Sequence, residues 1–213
     1  MPSASCWGSH PDYDHFGGLT YLAAAFTPDA FWWNGSAAGG VRYAALSQAL
    51  RDAGVAAQVV YDGFARTIGG VEVRAVHPAM DEAGKDNDRS LTLLLRYGPT
   101  AVLLPGDVEA AGERAMVRAH GSGLRAAVLK VPHHGSRTSS SAALLDAVDP
   151  RMAIISVGAD NRFRFPHPTV LDAYRRRGVE VWRTDRDGAV TLRIAADGAV
   201  SIATGRASDG FQP

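Results

Sequence analysis

The chain has 213 residues, enough for one large core or two small ones. Hydrophobic residues make up 46% and charged residues 21%, with 22 basic and 22 acidic side chains, the composition of an ordinary globular protein. The zero net charge excludes a bulk electrostatic attraction to nucleic acid, so any such contact would be local. The stretch Arg137 to Arg193 holds ten Arg against seven Asp or Glu, a bias that an ordinary solvated surface also shows. The single cysteine, Cys6, excludes an intramolecular disulfide and a cysteine metal cluster, and no role is assigned to it. No apolar run approaches the roughly 20 residues of a membrane helix. Met1 to Gly8 lacks the basic-then-apolar pattern of a signal peptide.

In chain order, Leu19–Phe26 reads as a helix after Gly17-Gly18, and Trp32-Trp33 as a short strand meeting a turn. Val41–Ala53 carries Val41, Leu46, Ala49 and Leu50 at helical spacing, with Gly54 as its stop. Val59–Tyr61 and Val71–Val76 read as strands, and Ala79–Arg89 as a polar loop. Ser90–Tyr97 and Thr100–Leu104 flank Gly98-Pro99 as a hairpin. A helix over Glu109–His120, a buried strand over Ala126–Val131 and a helix over Ala142–Val148 follow. Next come a strand over Met152–Val157 and a helix over Pro168–Arg177 capped by Gly178. Val179–Trp182 and Ala189–Ile194 are the last main strands, with Ala199–Ala203 as a partner for the second. Alternating strands and helices give an α/β (α+β) class and one domain over residues 1–203, with 204–213 as a tail.

The seven histidines are not scattered. His10-Pro11-Asp12-Tyr13-Asp14-His15 packs two imidazoles and two carboxylates into six residues, a density of like charge that usually has a counter-ion. Imidazole nitrogen and carboxylate oxygen are the donors that borderline divalent cations such as Zn²⁺ and Mn²⁺ accept. In an extended segment His10, Asp12 and Asp14 fall on one side and His15 on the other, so one loop can feed two ions. Asp107 follows the apolar run Ala101–Leu104 and Pro105-Gly106, where a carboxylate can lie beyond a sheet end and bridge two ions. Lys130-Val131-Pro132-His133-His134-Gly135-Ser136 places two imidazoles at another strand end, suited to metal binding or proton transfer. Ser139 to Ser141 suit the cap of the next helix. His167 either approaches the same site or starts the following helix, while His77 and His120 read as satisfied core or surface residues.

The first motif resembles that of the metallo-β-lactamase superfamily, with Asp12 where many members have a second histidine. Together with Leu104–Glu109, Lys130–Ser136 and Pro166-His167-Pro168 it resembles the C-terminal domains of ComEC-type competence proteins. The resemblance runs from Ser9 to about Ile194 with the motifs in order. It implies an αβ/βα four-layer sandwich with two divalent ions, Zn²⁺ or Mn²⁺, at the sheet ends. By position, His10 and Asp12 would serve one ion, Asp14 and His15 the other, Asp107 both, and His134 would be a further ligand. Asp14, His133 and Lys130 would take part in the chemistry, His133 and Lys130 by stabilising charge on a phosphate or leaving group. Asp86–Ser90 stands where many members place another histidine, leaving Asn87 as a substitute donor.

The expected activity is metal-dependent hydrolysis by a phosphodiesterase or nuclease domain associated with DNA uptake. The alternatives are hydrolysis of a small phosphoester, lactone or thioester, and a non-catalytic accessory domain of a DNA transport channel. The partners implied are single-stranded DNA and a membrane channel protein or domain. The location would be cytoplasmic for a stand-alone chain and extracytoplasmic for part of a ComEC-like protein. Met1 to Gly8 reads as too short and too polar for the strand that should lead into Ser9, so the first strands of one sheet are expected to be missing.

Overall fold

The computed structural model describes residues 4–205. The first sheet contains strands β1 (Ser5–Gly8), β2 (Ala30–Trp33) and β3 (Ala56–Val59), all parallel, in that order. Helices α1 (Tyr13–Phe16), α2 (Leu19–Phe26) and α3 (Val41–Asp52) connect them. The second sheet contains β4 (Ala65–Ile68), β5 (Val71–His77), β6 (Thr92–Tyr97), β7 (Thr100–Leu104), β8 (Val128–Lys130), β9 (Met152–Ile155) and β10 (Glu180–Arg183). Its order is the chain order reversed, from β10 to β4. Strands β4 to β7 pair antiparallel, and β7 to β10 pair parallel. Its crossovers carry α4 (Ala110–His120), α5 (Ala142–Val148) and α6 (Pro168–Arg176). A short helix α7 (Thr184–Asp187) leads to the separate hairpin of β11 (Val190–Ile194) and β12 (Val200–Thr204).

Alternation along the strands builds four layers. In β2, Phe31 and Trp33 face a core made with Phe16, Leu19, Ala23, Leu46 and Leu50 of the first helices. The intervening Ala30 and Trp32 face the other way, into a core shared with Val73, Ala75, Leu91 and Leu93 of the second sheet. The far face of that sheet, with Leu94, Leu103, Leu129 and Ile155, packs on Met116, Leu144, Leu145, Val170 and Tyr174 of the outer helices. The α/β (α+β) four-layer sandwich expected from the sequence is the architecture found.

Four expectations need correction. Ser5–Gly8 is a strand: its four residues pair in parallel with Ala30–Trp33, so the ligand loop has a leading strand, contrary to expectation. Pairing uses backbone groups, and Cys6 and Trp7 pack into cores on opposite faces, which the polar look of the segment conceals. The strand near Val59 ends rather than begins there, spanning Ala56–Val59, and Ala65–Ile68 is a further strand. Both lie at sheet edges and are mostly exposed, so neither carries the alternating apolar pattern that marks a half-buried strand. Strands β8 and β9 are shorter than the apolar runs containing them, because Val131 and Val157 continue buried or half-buried beyond the last paired residue. Thr204 belongs to β12, and Gly205 donates to the Ala189 carbonyl at 2.7 Å, while residues 206–213 of the expected tail lie outside the described residues.

Candidate metal centre

One edge of the sandwich collects the ends of both sheets. The loops that follow β1, β7, β8 and β9 meet there with the segment that precedes β6. Gly106 makes this convergence possible. Its φ of +63° suits glycine, and a Cβ there would lie 2.8 Å from the Cβ atoms of both Ser9 and Ser90. Lys130 Nζ donates to the Gly106 carbonyl at 3.3 Å, and Thr92 Oγ1 donates to the Pro105 carbonyl at 3.2 Å, locking the same turn.

Two donor groups lie side by side at this edge. His10, His15 and Asp107 each place one ligand atom within 4.8 Å of the others, and so do Asp14, His15 and His134. His15 is therefore common to both. Its Nε2 lies 3.2 Å from Asp107 Oδ1, 3.7 Å from Asp14 Oδ2 and 3.3 Å from His134 Nε2. Asp107 also faces His134 Nε2 at 3.2 Å, Lys130 Nζ at 3.5 Å and His133 Nε2 at 4.0 Å. Asp12 reaches the cluster through His10 alone, at 3.4 Å, with its side chain 58% exposed. Asp14 and His15, paired by position, share a group here and are joined by His134, whereas Asp12, paired by position with His10, lies outside both groups, and His10 is grouped with His15 and Asp107. The helical turn α1 carries Asp14 and His15 together around to His134 and Asp107 instead of leaving the segment extended.

Second contacts aim the imidazoles. His134 Nδ1–H donates to the Ser156 carbonyl at 2.6 Å, which turns Nε2 toward the cluster. Ser9 Oγ lies 3.1 Å from His10 Nδ1 and 2.9 Å from His15 Nδ1, and Ser90 Oγ adds a 3.4 Å contact to His10 Nδ1. Ser90 Oγ also accepts from the Asp107 backbone N–H at 3.1 Å. His133 turns the other way, with Nδ1 3.1 Å from Glu109 Oε1. Both His133 and His134 hold positive φ, +47° and +52°, a costly backbone state for non-glycine residues that sets the two rings apart.

The electrostatics favour a cation. Hydrogen bonding from His134 holds Asp14 at about 2. Burial alone would raise Asp107, but the facing His134 and His15 imidazoles and the Lys130 charge hold it far below the usual carboxylate range. Burial lowers His10, with the neighbouring His15 adding to the effect, so its imidazole is neutral near pH 7. Burial also acts to lower His134, yet Asp107 and Asp14 together lift it to about 9. Burial lowers Lys130, against the pull of Asp107. His10 Nε2 and Asp107 Oδ1 are buried without a hydrogen-bond partner. These two buried atoms, set among imidazoles and ionised carboxylates, fit a divalent cation of the zinc or manganese type.

The remaining sequence candidates fall outside these groups. His167 caps α6 by accepting from the Thr169 N–H at 3.3 Å, which is the helix-starting alternative. His77 is buried, with Nε2 2.6 Å from the Asp88 carbonyl and Nδ1 3.3 Å from Glu82. His120 pairs with Asp62 at 2.9 Å. Asn87 lies in the turn Asn87–Arg89, and Ser90, three residues on, is the residue of that segment that meets His10. Ser141 caps α5, as expected of one of the three serines. Ser9, Ser90 and Glu109 were missed as site residues. Ser9 and Glu109 stand inside the recognised motifs, but a hydroxyl or acid beside a ligand has no spacing signature of its own.

Residues 9–159 match the family described as "Metallo-beta-lactamase superfamily". The chain is 34% identical over 146 residues to ComE operon protein 3 of Bacillus subtilis (strain 168), covering 68% of the chain and 19% of that protein. It is 35% identical over 129 residues to competence protein ComA of Neisseria gonorrhoeae, covering 61% and 19%. It is 32% identical over 189 residues to recombination protein 2 of Haemophilus influenzae, covering 89% and 22%. The chain thus spans about a fifth of the length of the curated relatives it matches. Among solved structures, CmlA, a diiron β-hydroxylase from Streptomyces venezuelae, shares the fold with a TM-score of 0.54 at 17% identity, over 86% of this chain and 44% of that one. With the ligand loop at the head of the matched region and a four-layer sandwich holding it, the chain belongs to the metallo-β-lactamase superfamily.

Proposed function

We propose that this domain is a two-metal phosphodiesterase that acts on single-stranded DNA during DNA uptake, in company with a membrane channel protein or domain. The observation that carries the proposal is the pair of donor groups His10/His15/Asp107 and Asp14/His15/His134, which share His15 and include two buried atoms without hydrogen-bond partners. The DNA context is supported by the names of the competence and recombination relatives.

His10, Asp14, His15, Asp107 and His134 would hold the two ions, with Asp12 beside His10. When bound, such ions supply Lewis acidity, lowering the pKa of a water and clamping phosphoryl oxygens during in-line attack. The protein's own groups supply the rest. Asp107 is ionised across the working pH range and lies central to His15, His134 and Lys130. Asp14, exposed at the rim and ionised above about pH 2, can orient an entering nucleophile or accept its proton. Lys130 brings a half-buried ammonium to the same carboxylate, positioned to offset charge on a phosphate. His133 stands at the rim with Nδ1 held by Glu109, so its Nε2 is directed inward, toward a phosphate oxygen or leaving group.

The test is incubation of purified protein with end-labelled single-stranded DNA, with and without Mn²⁺ or Zn²⁺. Metal-dependent cleavage that is lost in Asp107→Ala is the expected result. A metal-loaded protein active only on small esters would overturn the DNA assignment.

A further inference from the structure

Beside His133, a row of rings leads away from the candidate centre. The Phe165 ring lies 5.7 Å from the His133 ring at 73°, and Phe163 stacks on Phe165 at 5.5 Å and 19°. The Arg162 guanidinium covers Phe163 at 4.7 Å from its centroid. Phe163 is 61% exposed, so the row ends in open solvent. A lone exposed aromatic residue is unremarkable, but this one continues an ordered stack that begins at a candidate catalytic histidine.

The loop carrying the rings is held rigidly. Asn161 Nδ2 donates to the Gly158 and Phe165 carbonyls at 3.1 and 2.8 Å, while its Oδ1 accepts from the Phe165 N–H at 2.9 Å. Those bonds brace Arg164, which lies at φ +56° between the two phenylalanines. Both ends of the loop are tied to the paired histidines. The Ser156 carbonyl accepts from His134, and the His167 N–H donates to the Gly135 carbonyl at 2.8 Å. Gly135, at φ +84°, admits this contact because a Cβ there would lie 2.6 Å from Pro166 Cβ. The position of the rings relative to the centre is therefore set before any ligand arrives.

Resting on the phosphodiesterase reading, we infer that Phe163 and Phe165 form a stacking platform for a base of single-stranded DNA next to the scissile phosphate. Flat π-faces bind any base without reading its identity, and guanidinium planes do the same. Arg162 and Arg164 on this loop, with exposed Arg137 on the adjoining one, give the local positive charge that a zero net charge does not provide. A base arriving at Phe163 stacks on, or displaces, the Arg162 guanidinium, which then faces the neighbouring phosphate. The duplex form keeps its bases paired and stacked on each other, so the platform favours a single strand.

The test compares a short single-stranded DNA carrying 2-aminopurine with an abasic strand of equal length and charge, titrated against wild type, Phe163→Ala and Phe163→Trp. Phe163→Ala is expected to bind the base-bearing strand about 5- to 150-fold more weakly, the range for loss of one stacking partner. It should also lose the fluorescence quench of the stacked base. Phe163→Trp should retain both, and binding of the abasic strand should be the same in all three. Equal binding of both strands by wild type, no binding by wild type, or an unchanged Phe163→Ala would overturn the inference. Metal-dependent cleavage is scored separately on the same samples. Wild type that cleaves but binds both strands equally rejects the platform alone, whereas base-dependent binding by wild type without cleavage rejects the hydrolase reading and leaves the platform standing.

Discussion

Asp107 is the residue on which the centre turns. Its side chain is 5% exposed and faces two imidazoles and an ammonium within 3.5 Å. Asp107→Ala should lower metal affinity by more than the roughly 10–100-fold that removing an outer hydrogen-bond partner costs, as read by metal analysis after dialysis. Ser90→Ala tests such an outer partner, since Ser90 Oγ contacts His10 and takes the Asp107 N–H. Its metal affinity should fall by about 10–100-fold with the fold intact. The paired histidines should separate in the same assay. His134→Gln is expected to lose metal, because His134 Nε2 joins Asp14 and His15. His133→Gln should keep metal and lose turnover, because its ring is turned to Glu109. Equal metal loss in both variants would reverse that division of labour.

At the scale of the element, the loops are placed by the strands they follow and by what braces them from behind. Helix α4 illustrates the bracing. Glu113, fully buried, accepts from the Ser140 N–H at 2.5 Å and the Ser141 N–H at 2.8 Å, so it fixes the serine segment that follows the paired histidines. Burial raises the Glu113 carboxyl above its ordinary 4.5, although these hydrogen bonds pull it back. A raised folded-state pKa means that the protonated acid is favoured by folding. Its stabilising contribution is complete below about pH 4.5 and is lost as pH rises through the folded-state value. The thermal stability advantage of wild type over Glu113→Gln should therefore shrink as pH is raised from about 4 toward neutrality. An advantage that grows over that range would show that the ionised form is the one the fold prefers.

Over the whole molecule, the centre joins the two sheets. His10, Asp14 and His15 follow β1 of the first sheet, whereas Asp107 and His134 follow β7 and β8 of the second. Metal that binds this set ties the sheets together and binds only the folded chain. Zn²⁺ or Mn²⁺ should raise the melting temperature, corresponding to about 2.7 kcal/mol at a hundredfold excess over Kd, and chelator should reverse it. The apolar tie between the sheets is Trp32, 1% exposed and in edge contact with Phe64 at 5.0 Å. Trp32→Ala should cost about 3–5 kcal/mol in denaturant unfolding.

The ligand loop, the carboxylate after a strand and the paired histidines were legible from residue order. Metal donors are few in type, and here they occur close together in the chain. Most helices and the buried strands were legible too, because burial on one face or both imposes a periodicity. Edge strands β3 and β4 were not, since an exposed edge imposes none. Nor was β1, whose pairing is made by backbone groups that every sequence shares. The choice of His134 for the donor group over His133 depends on two left-handed backbone residues and on the Ser156 carbonyl, 22 positions away. His15 meets both Asp107 and His134 because a single helical turn carries it to them, and Asp107 reaches both groups, with Oδ1 toward His15 and Oδ2 toward His134. Sequence alone determined which chemical groups this protein brings to its site, because donors are a property of residue type. Tertiary structure decided which of them meet, because that depends on where the strands end and which way the loops between them turn.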